Sequence, residues 1–118
     1  MKVRQPFSVI KQEVIKVYNS INQEFFGMGV RSQKLEIVGD KIIITATHKR
    51  IPAIKVLDDI DRMLTLQVDK AITDANKKLI KKPIEDIVGV PIRSILKDYD
   101  PYTESGATII IFQDILEE

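Results

Sequence analysis

His48 is the only histidine in the chain, and cysteine is absent. A histidine acting as general base needs a nucleophile to activate or a carboxylate to orient it, and the sequence places neither beside His48. In strand alternation His48 falls on the side of Ile44 and Ala46, near the end of a strand, which is the place of a structural residue. Without a thiol there is no thiolate chemistry, no disulfide and no cysteine-ligated zinc. The same lack agrees with a reducing, cytoplasmic setting.

Asp98, Asp100 and Glu104 cluster in the loop expected for the second hairpin. Such oxygens can hold a hard cation. The stretch lacks EF-hand spacing, however, and Pro101 stiffens it. Asp-x-Asp-Pro is ordinary turn chemistry in which side chains accept from backbone amides, and this reading is preferred. Gly27-Met28-Gly29 resembles a phosphate loop only superficially. A phosphate cradle needs glycines after a strand and before a helix, and here they follow a helix. They serve as a helix stop and a tight approach to the first strand. Lys77, Lys78, Lys81 and Lys82 could meet phosphates. They also suit a helix C-terminus and are flanked by Asp69, Asp74, Glu85 and Asp86, so a solvated face is the simpler reading. Tyr99 and Tyr102 could stack on a base or hold a peptide; local packing is the commoner use. The expectation is a chain with no catalytic residues, no cofactor and no metal.

The elements that carry these residues can be read from periodicity. Ile10, Val14, Val17, Ile21 and Phe25 make one apolar stripe over a helix from Phe7 to Phe26, with Ser8 as N-cap and Gly27 as stop. Gln33 to Lys49 is a hairpin. Gly39-Asp40 is a two-residue turn between β-branched runs. That loop sets Val38 opposite Lys41, Ile37 opposite Ile42 and Leu35 opposite Ile44. Leu35, Ile37, Ile42 and Ile44 then share a buried face, and Lys34, Glu36, Thr45 and Thr47 share a wet one. Pro52 opens a second helix with a main stripe of Leu57, Ile60, Leu64, Val68, Ala71, Ala75 and Leu79. No breaker precedes Pro83, which gives roughly 30 residues and about 45 Å of helix. Pro83 ends or kinks it, and Ile84, Ile87 and Val88 form one more turn before Gly89. Val90 to Lys97 and Ala107 to Ile115 are strands, joined by a loop from Asp98 to Gly106. The two halves are faintly alike, so an αββ duplication and a chance likeness both remain open.

Several residues taken together resemble the MpsC family, named for a component of a sodium-translocating, membrane-potential-generating system. They are Ile21-Asn22-Gln23-Glu24-Phe25-Phe26-Gly27-Met28-Gly29, the Leu35-to-Ala46 hairpin, Ile84-Glu85-Asp86-Ile87-Val88-Gly89-Val90, and Asp98 leading to Ile110-Ile111-Phe112. Met28 and Val30 depart from the family's Phe-Gly-Lys-Gly-Pro pattern. His48-Lys49-Arg50-Ile51-Pro52 stands where the family begins a helix with Leu-Thr-x-x-Glu. The resemblance implies an accessory domain of an ion or bicarbonate transport system and supplies no catalytic residues.

With 118 residues and a net charge of +1, the chain reads as a single α+β domain spanning 1–118. It is arranged helix–hairpin–helix–hairpin (αββαββ), with a four-stranded antiparallel sheet and helices on one face. No apolar run is long enough to cross a bilayer, so a membrane role would act through a partner. The leading function is a non-catalytic accessory module; the alternative is a small nucleic-acid-binding domain using Arg31, Lys34, Lys41, Lys49 and Arg50. Near-neutral charge and the lack of exposed stacking aromatics there make nucleic-acid binding weak. Ala53 to Val68 carries more apolar side chains than one stripe can hide. This predicts a homodimer with Val56, Ile60, Met63 and Leu66 at its interface.

Overall fold

The computed structural model describes residues 1–27 and 29–118. Met28, the middle of the Gly27-Met28-Gly29 trio, lies outside the described residues. Among them are three helices and four strands: α1 (Phe7–Phe26), β1 (Val30–Val38), β2 (Lys41–His48), α2 (Pro52–Ile60), α3 (Arg62–Val88), β3 (Ile92–Asp100) and β4 (Ser105–Phe112).

Both hairpins are present, and the first has the register that its turn dictates. Val38 pairs with Lys41, Ile37 with Ile42 and Leu35 with Ile44. Gly39 takes φ +62°, the left-handed conformation that a tight hairpin turn needs and glycine supplies without strain. Ile42 and Ile44 are buried, and Leu35 and Ile37 pack against the same core. The second hairpin is longer than its apolar runs suggest, and its turn is confined to Pro101–Glu104. Asp98 and Asp100 therefore lie in β3 rather than in a loop, paired with Ala107 and Ser105. The strand order is β1-β2-β4-β3. The second strand of each hairpin takes a central place, and the antiparallel β2–β4 ladder joins the halves, Ile42 opposite Ile110 and Ile44 opposite Thr108.

Helices α1 and α3 cover one face of the sheet. Ile10, Val14, Tyr18 and Ile21 of α1 meet Ile80, Ile84 and Val88 of α3 over Ile42, Ile44, Ile110 and Phe112. Tyr18 completes the buried stripe of α1, and Phe25 is exposed. The helix begins after Pro6 and has no side-chain cap, so Ser8 sits inside the first turn. Gly27 closes it in the left-handed region, as expected.

The second half departs from the single long helix. The chain breaks at Asp61, whose backbone is non-helical (φ −149°, ψ 82°) and whose Oδ1 accepts from Leu64 N at 3.1 Å. An aspartate N-cap thus stops α2 and starts α3 without glycine or proline. Pro83, in turn, does not end the helix. It forfeits one backbone bond, but Ile80, Ile84 and Val88 on either side are anchored in the core, and α3 runs on to Gly89. The buried face of α3 is Thr65, Asn76, Ile80, Ile84 and Val88. It lies one residue on from the apolar stripe, a rotation of about 100°. Leu64, Ala71 and Ala75 consequently face outwards, and Leu57 and Ile60 are exposed on α2. The molecule measures 49 × 23 × 22 Å.

Core position and apolar character therefore separate along α3. Ile80→Ala should cost about 3 kcal/mol and Leu64→Ala no more than about 1 kcal/mol. Urea unfolding midpoints of the two variants check this; equal losses would mean that Leu64 faces the core.

Candidate functional site

Between the end of β2 and the start of α2 the chain passes through Lys49, Arg50 and Ile51. Arg50 is only 6% exposed. Its Nε and Nη2 donate to the two oxygens of Asp58 on α2 (3.0 and 2.7 Å), and its Nη1 and Nη2 donate to those of Asp69 on α3 (2.6 and 3.1 Å). This is the paired geometry in which a guanidinium binds carboxylates best. Arg62 adds Nη1 to Thr65 Oγ1 at 2.8 Å and lies 3.3 and 3.4 Å from Asp58 and Asp69. Two cations and two anions balance. Burial alone would lower the Arg50 pKa, but the bonds to Asp58 and Asp69 raise it well above its ordinary value. Asp58 is held below the usual carboxylate range chiefly by its bond from Arg50.

The same segment is tied to the second hairpin. Glu104 accepts from Arg50 N through Oε2 and from His48 N through its carbonyl at 2.8 Å. Tyr99 Oη donates to the His48 carbonyl at 2.8 Å, and its ring lies 5.8 Å from the Arg50 guanidinium. Burial and the Glu104 charge push the Tyr99 phenol up to about 12. Tyr99 is thus a packing residue, while Tyr102 is exposed, with the Arg62 guanidinium 5.8 Å from its ring.

Behind Arg50 lies a cavity of about 40 Å³ between α3 and the sheet. Its walls include His48, Asn76, Lys97 and Tyr99, with Ile51, Ile54 and Ile72 on the apolar side. Lys97 Nζ donates to Tyr18 Oη at 2.6 Å and to Thr108 Oγ1 at 3.2 Å. Asn22 Nδ2 donates to the Tyr18 carbonyl, and its Oδ1 accepts from Asn76 Nδ2, both at 3.0 Å. His48 is 3% exposed, with the Tyr18 and Tyr99 rings edge-on at 6.3 and 6.2 Å. A Cβ at Gly106 would stand 3.0 Å from the imidazole, so the glycine makes room for the ring. Burial first, and then the Lys97 charge, push the imidazole down to about 4. His48 is accordingly neutral at neutral pH, on the inward side that strand alternation gives it.

The other sequence candidates are dispersed. Asp98 Oδ1 accepts from Tyr99 N at 2.8 Å and Asp100 Oδ1 from Tyr102 N at 2.9 Å, which is turn and strand chemistry. Among the described residues no group of three His, Cys, Asp or Glu is placed to hold a metal ion. Within the basic set at the first hairpin, Arg50 is buried, Lys34 pairs with Glu36 at 2.8 Å and Lys41 with Asp40 at 2.6 Å. That arrangement does not make a continuous positive face. Lys82 pairs with Asp86 at 3.0 Å on the outer side of α3. The apolar residues of the expected interface are all exposed, on either side of the α2–α3 break: Val56 (65% exposed), Ile60 (74%), Met63 (71%) and Leu66 (49%). Sequence reasoning read these four as apolar residues the core leaves outside but missed the role of Arg50, whose only signal was an Arg between a strand and a Pro-led helix, followed by Asp58 and Asp69.

A helix–hairpin unit used twice, with a charged clasp at the waist and an apolar arm beyond it, defines a small α+β domain class. The family described as "Na+-translocating membrane potential-generating system (MpsC)" matches residues 8–114, and the chain belongs to that family. No curated protein and no solved structure gives a match. No helix among the described residues is long and apolar enough to cross a membrane.

Two outcomes follow from the geometry. His48 has a lower pKa folded than its ordinary value of 6.5, so its contribution to stability is complete above pH 6.5 and is lost as pH falls towards about 4. Stability should drop by about 2 kcal/mol on this account between pH 6.5 and 4.5, with the carboxylates adding to the loss only towards the acid end. In His48→Gln most of that slope should vanish; an unchanged slope would assign it elsewhere. Arg50→Ala should cost about 2–3 kcal/mol by leaving Asp58 and Asp69 with only the longer contacts of Arg62, and Arg50→Lys should not restore it, because an ammonium cannot serve both carboxylates in pairs. Denaturation together with hydrogen exchange of the α2 amides reads both effects.

Proposed function

We propose that this chain is a non-catalytic accessory module that self-associates through the α2–α3 junction and serves a membrane ion-transport complex. The observation that carries the reading is the apolar surface of Val56, Ile60, Met63 and Leu66, which the core leaves uncovered. A patch of this kind marks an interface. A second copy is the occupant best supported, because the net charge of +1 sets up little self-repulsion and twofold pairing is the commonest closed association. Lys55 and Asp59, both exposed on α2, carry opposite charges that an antiparallel pairing of two arms brings together. The family description supports the transport setting. Support for a non-catalytic role comes from the reactive side chains themselves: His48 is buried without a carboxylate partner, and the Arg50 carboxylates are engaged in holding α2 in place.

The wild-type protein should sediment as a dimer at high micromolar concentration, and Val56→Glu with Met63→Glu should give a monomer of unchanged helix and strand content. Pull-downs from native membranes should recover a membrane-spanning transport protein with the wild type and lose it with the double variant. A wild-type monomer would overturn the self-association. Capture of nucleic acid that nuclease releases would overturn the accessory reading.

A further inference from the structure

The helices cover one face of the sheet, and the other carries a charge order that the fold itself does not use. Residues paired across neighbouring strands share a face, so the register gives the rows of this uncovered side. One row holds Arg31, Thr47, Ser105 and Asp100 from β1 to β3, and the next holds Lys34, Thr45, Ala107 and Asp98. Each begins with a base on one edge of the sheet and ends with an acid on the other. All four charged side chains are exposed. Among the described residues Arg31, Asp98 and Asp100 have no ion-pair partner, and Lys34 has only the neighbouring Glu36. The row beyond has Ile43 and Ile109 at its centre and Leu96, 52% exposed, at its β3 end.

This pattern is complementary to itself. A second copy laid face to face, about a twofold axis running along the strands between β2 and β4, sets each β1 over the partner's β3. Arg31 then falls opposite the partner's Asp100 and Lys34 opposite the partner's Asp98, and symmetry repeats both pairs. Ile43 falls opposite the partner's Ile109, and nowhere does a charge meet its like. A long base over a short acid suits the about 10 Å that separates stacked sheets. We propose that the uncovered sheet face is a second self-association surface, on which two copies of this chain stack with β1 over β3. Four strands are about 19 Å wide and the rows from Arg31 to Val38 about 20 Å long, which gives about 400 Å² on each copy. That is about half of what a standard interface uses per partner, and exposed ion pairs add little each. The stack therefore forms at millimolar protein, above the concentration at which the α2–α3 arm pairs, and it does not rest on the arm. Where both surfaces act, copies link beyond a pair, because two different twofold contacts on one chain propagate.

The full chain carrying Val56→Glu and Met63→Glu isolates this contact. In sedimentation equilibrium from micromolar to millimolar protein it should pass from monomer to dimer. Over the same range the amide NMR signals of Thr45, Ala107 and Ile109 should shift, and added salt should diminish those shifts. In that background Arg31→Asp with Lys34→Asp should weaken the dimer at least ten-fold. Adding Asp98→Lys and Asp100→Lys reverses all four charges, leaves the net charge as it was and should restore the dimer. The proposal is overturned by a chain that stays monomeric at millimolar concentration, by shifts that map away from the sheet face, or by an undiminished dimer after the base reversal. A folded four-charge reversal that stays monomeric overturns it as well. If that variant does not fold, the base reversal and the shift map decide.

Discussion

A single guanidinium fixes how the two halves of this molecule meet. Arg50 follows the first hairpin, yet its side chain binds Asp58 on α2 and Asp69 on α3, and its amide is held by Glu104 of the second hairpin. A cation so little exposed is tolerable only with such partners. The carboxylates set the rotation of α3 at one end, just as the isoleucine core sets it at the other. A hydrophobic replacement could stabilise this point equally well, but it would not specify direction. Two bonds of fixed geometry to Asp58 hold α2, and two to Asp69 hold α3, on the same guanidinium.

The layer between helices and sheet has two zones. One is dry, built from Ile42, Ile110, Ile80, Ile84 and Phe112. The other is polar, built from Tyr18, Asn22, Asn76, His48, Lys97 and Thr108. Along β4 the change happens within a few residues, from Phe112 and Ile110 through Thr108 to Gly106, all on one face. Dispersion and burial hold the first zone; geometry-dependent hydrogen bonds hold the second, which makes it the more selective about what fills it.

The legibility of the chain follows the same division. The first hairpin was readable because a Gly-Asp turn fixes its register and β-branched alternation fixes its faces. The helix from Phe7 to Phe26 was readable because its buried stripe is almost wholly apolar. The phase of α3 was not, because Thr65 and Asn76 occupy its buried face while Leu64, Ala71 and Ala75 lie outside. A hydrophobic stripe cannot reveal a face that is buried through hydrogen bonds. The break at Asp61 escaped for a related reason: an aspartate cap is silent unless the chain already turns there. Pro83 misled because a lost backbone bond counts for less than the core contacts on both sides of it. Arg50 read as a surface base because its partners, eight and 19 residues on, follow no helix or strand spacing that would announce them.

The central position of β2 and β4 shapes how the chain comes together in time. Each is the late strand of its hairpin, and the ladder between them links residues from opposite halves of the sequence. Closing so large a loop must precede the contacts that reward it, which slows folding relative to a helical bundle. On the ribosome, α1 and the first hairpin emerge with Ile42 and Ile44 still lacking the strand that flanks them. The sheet therefore closes only once β4 is made, and until then β2 has no neighbour on its β4 side.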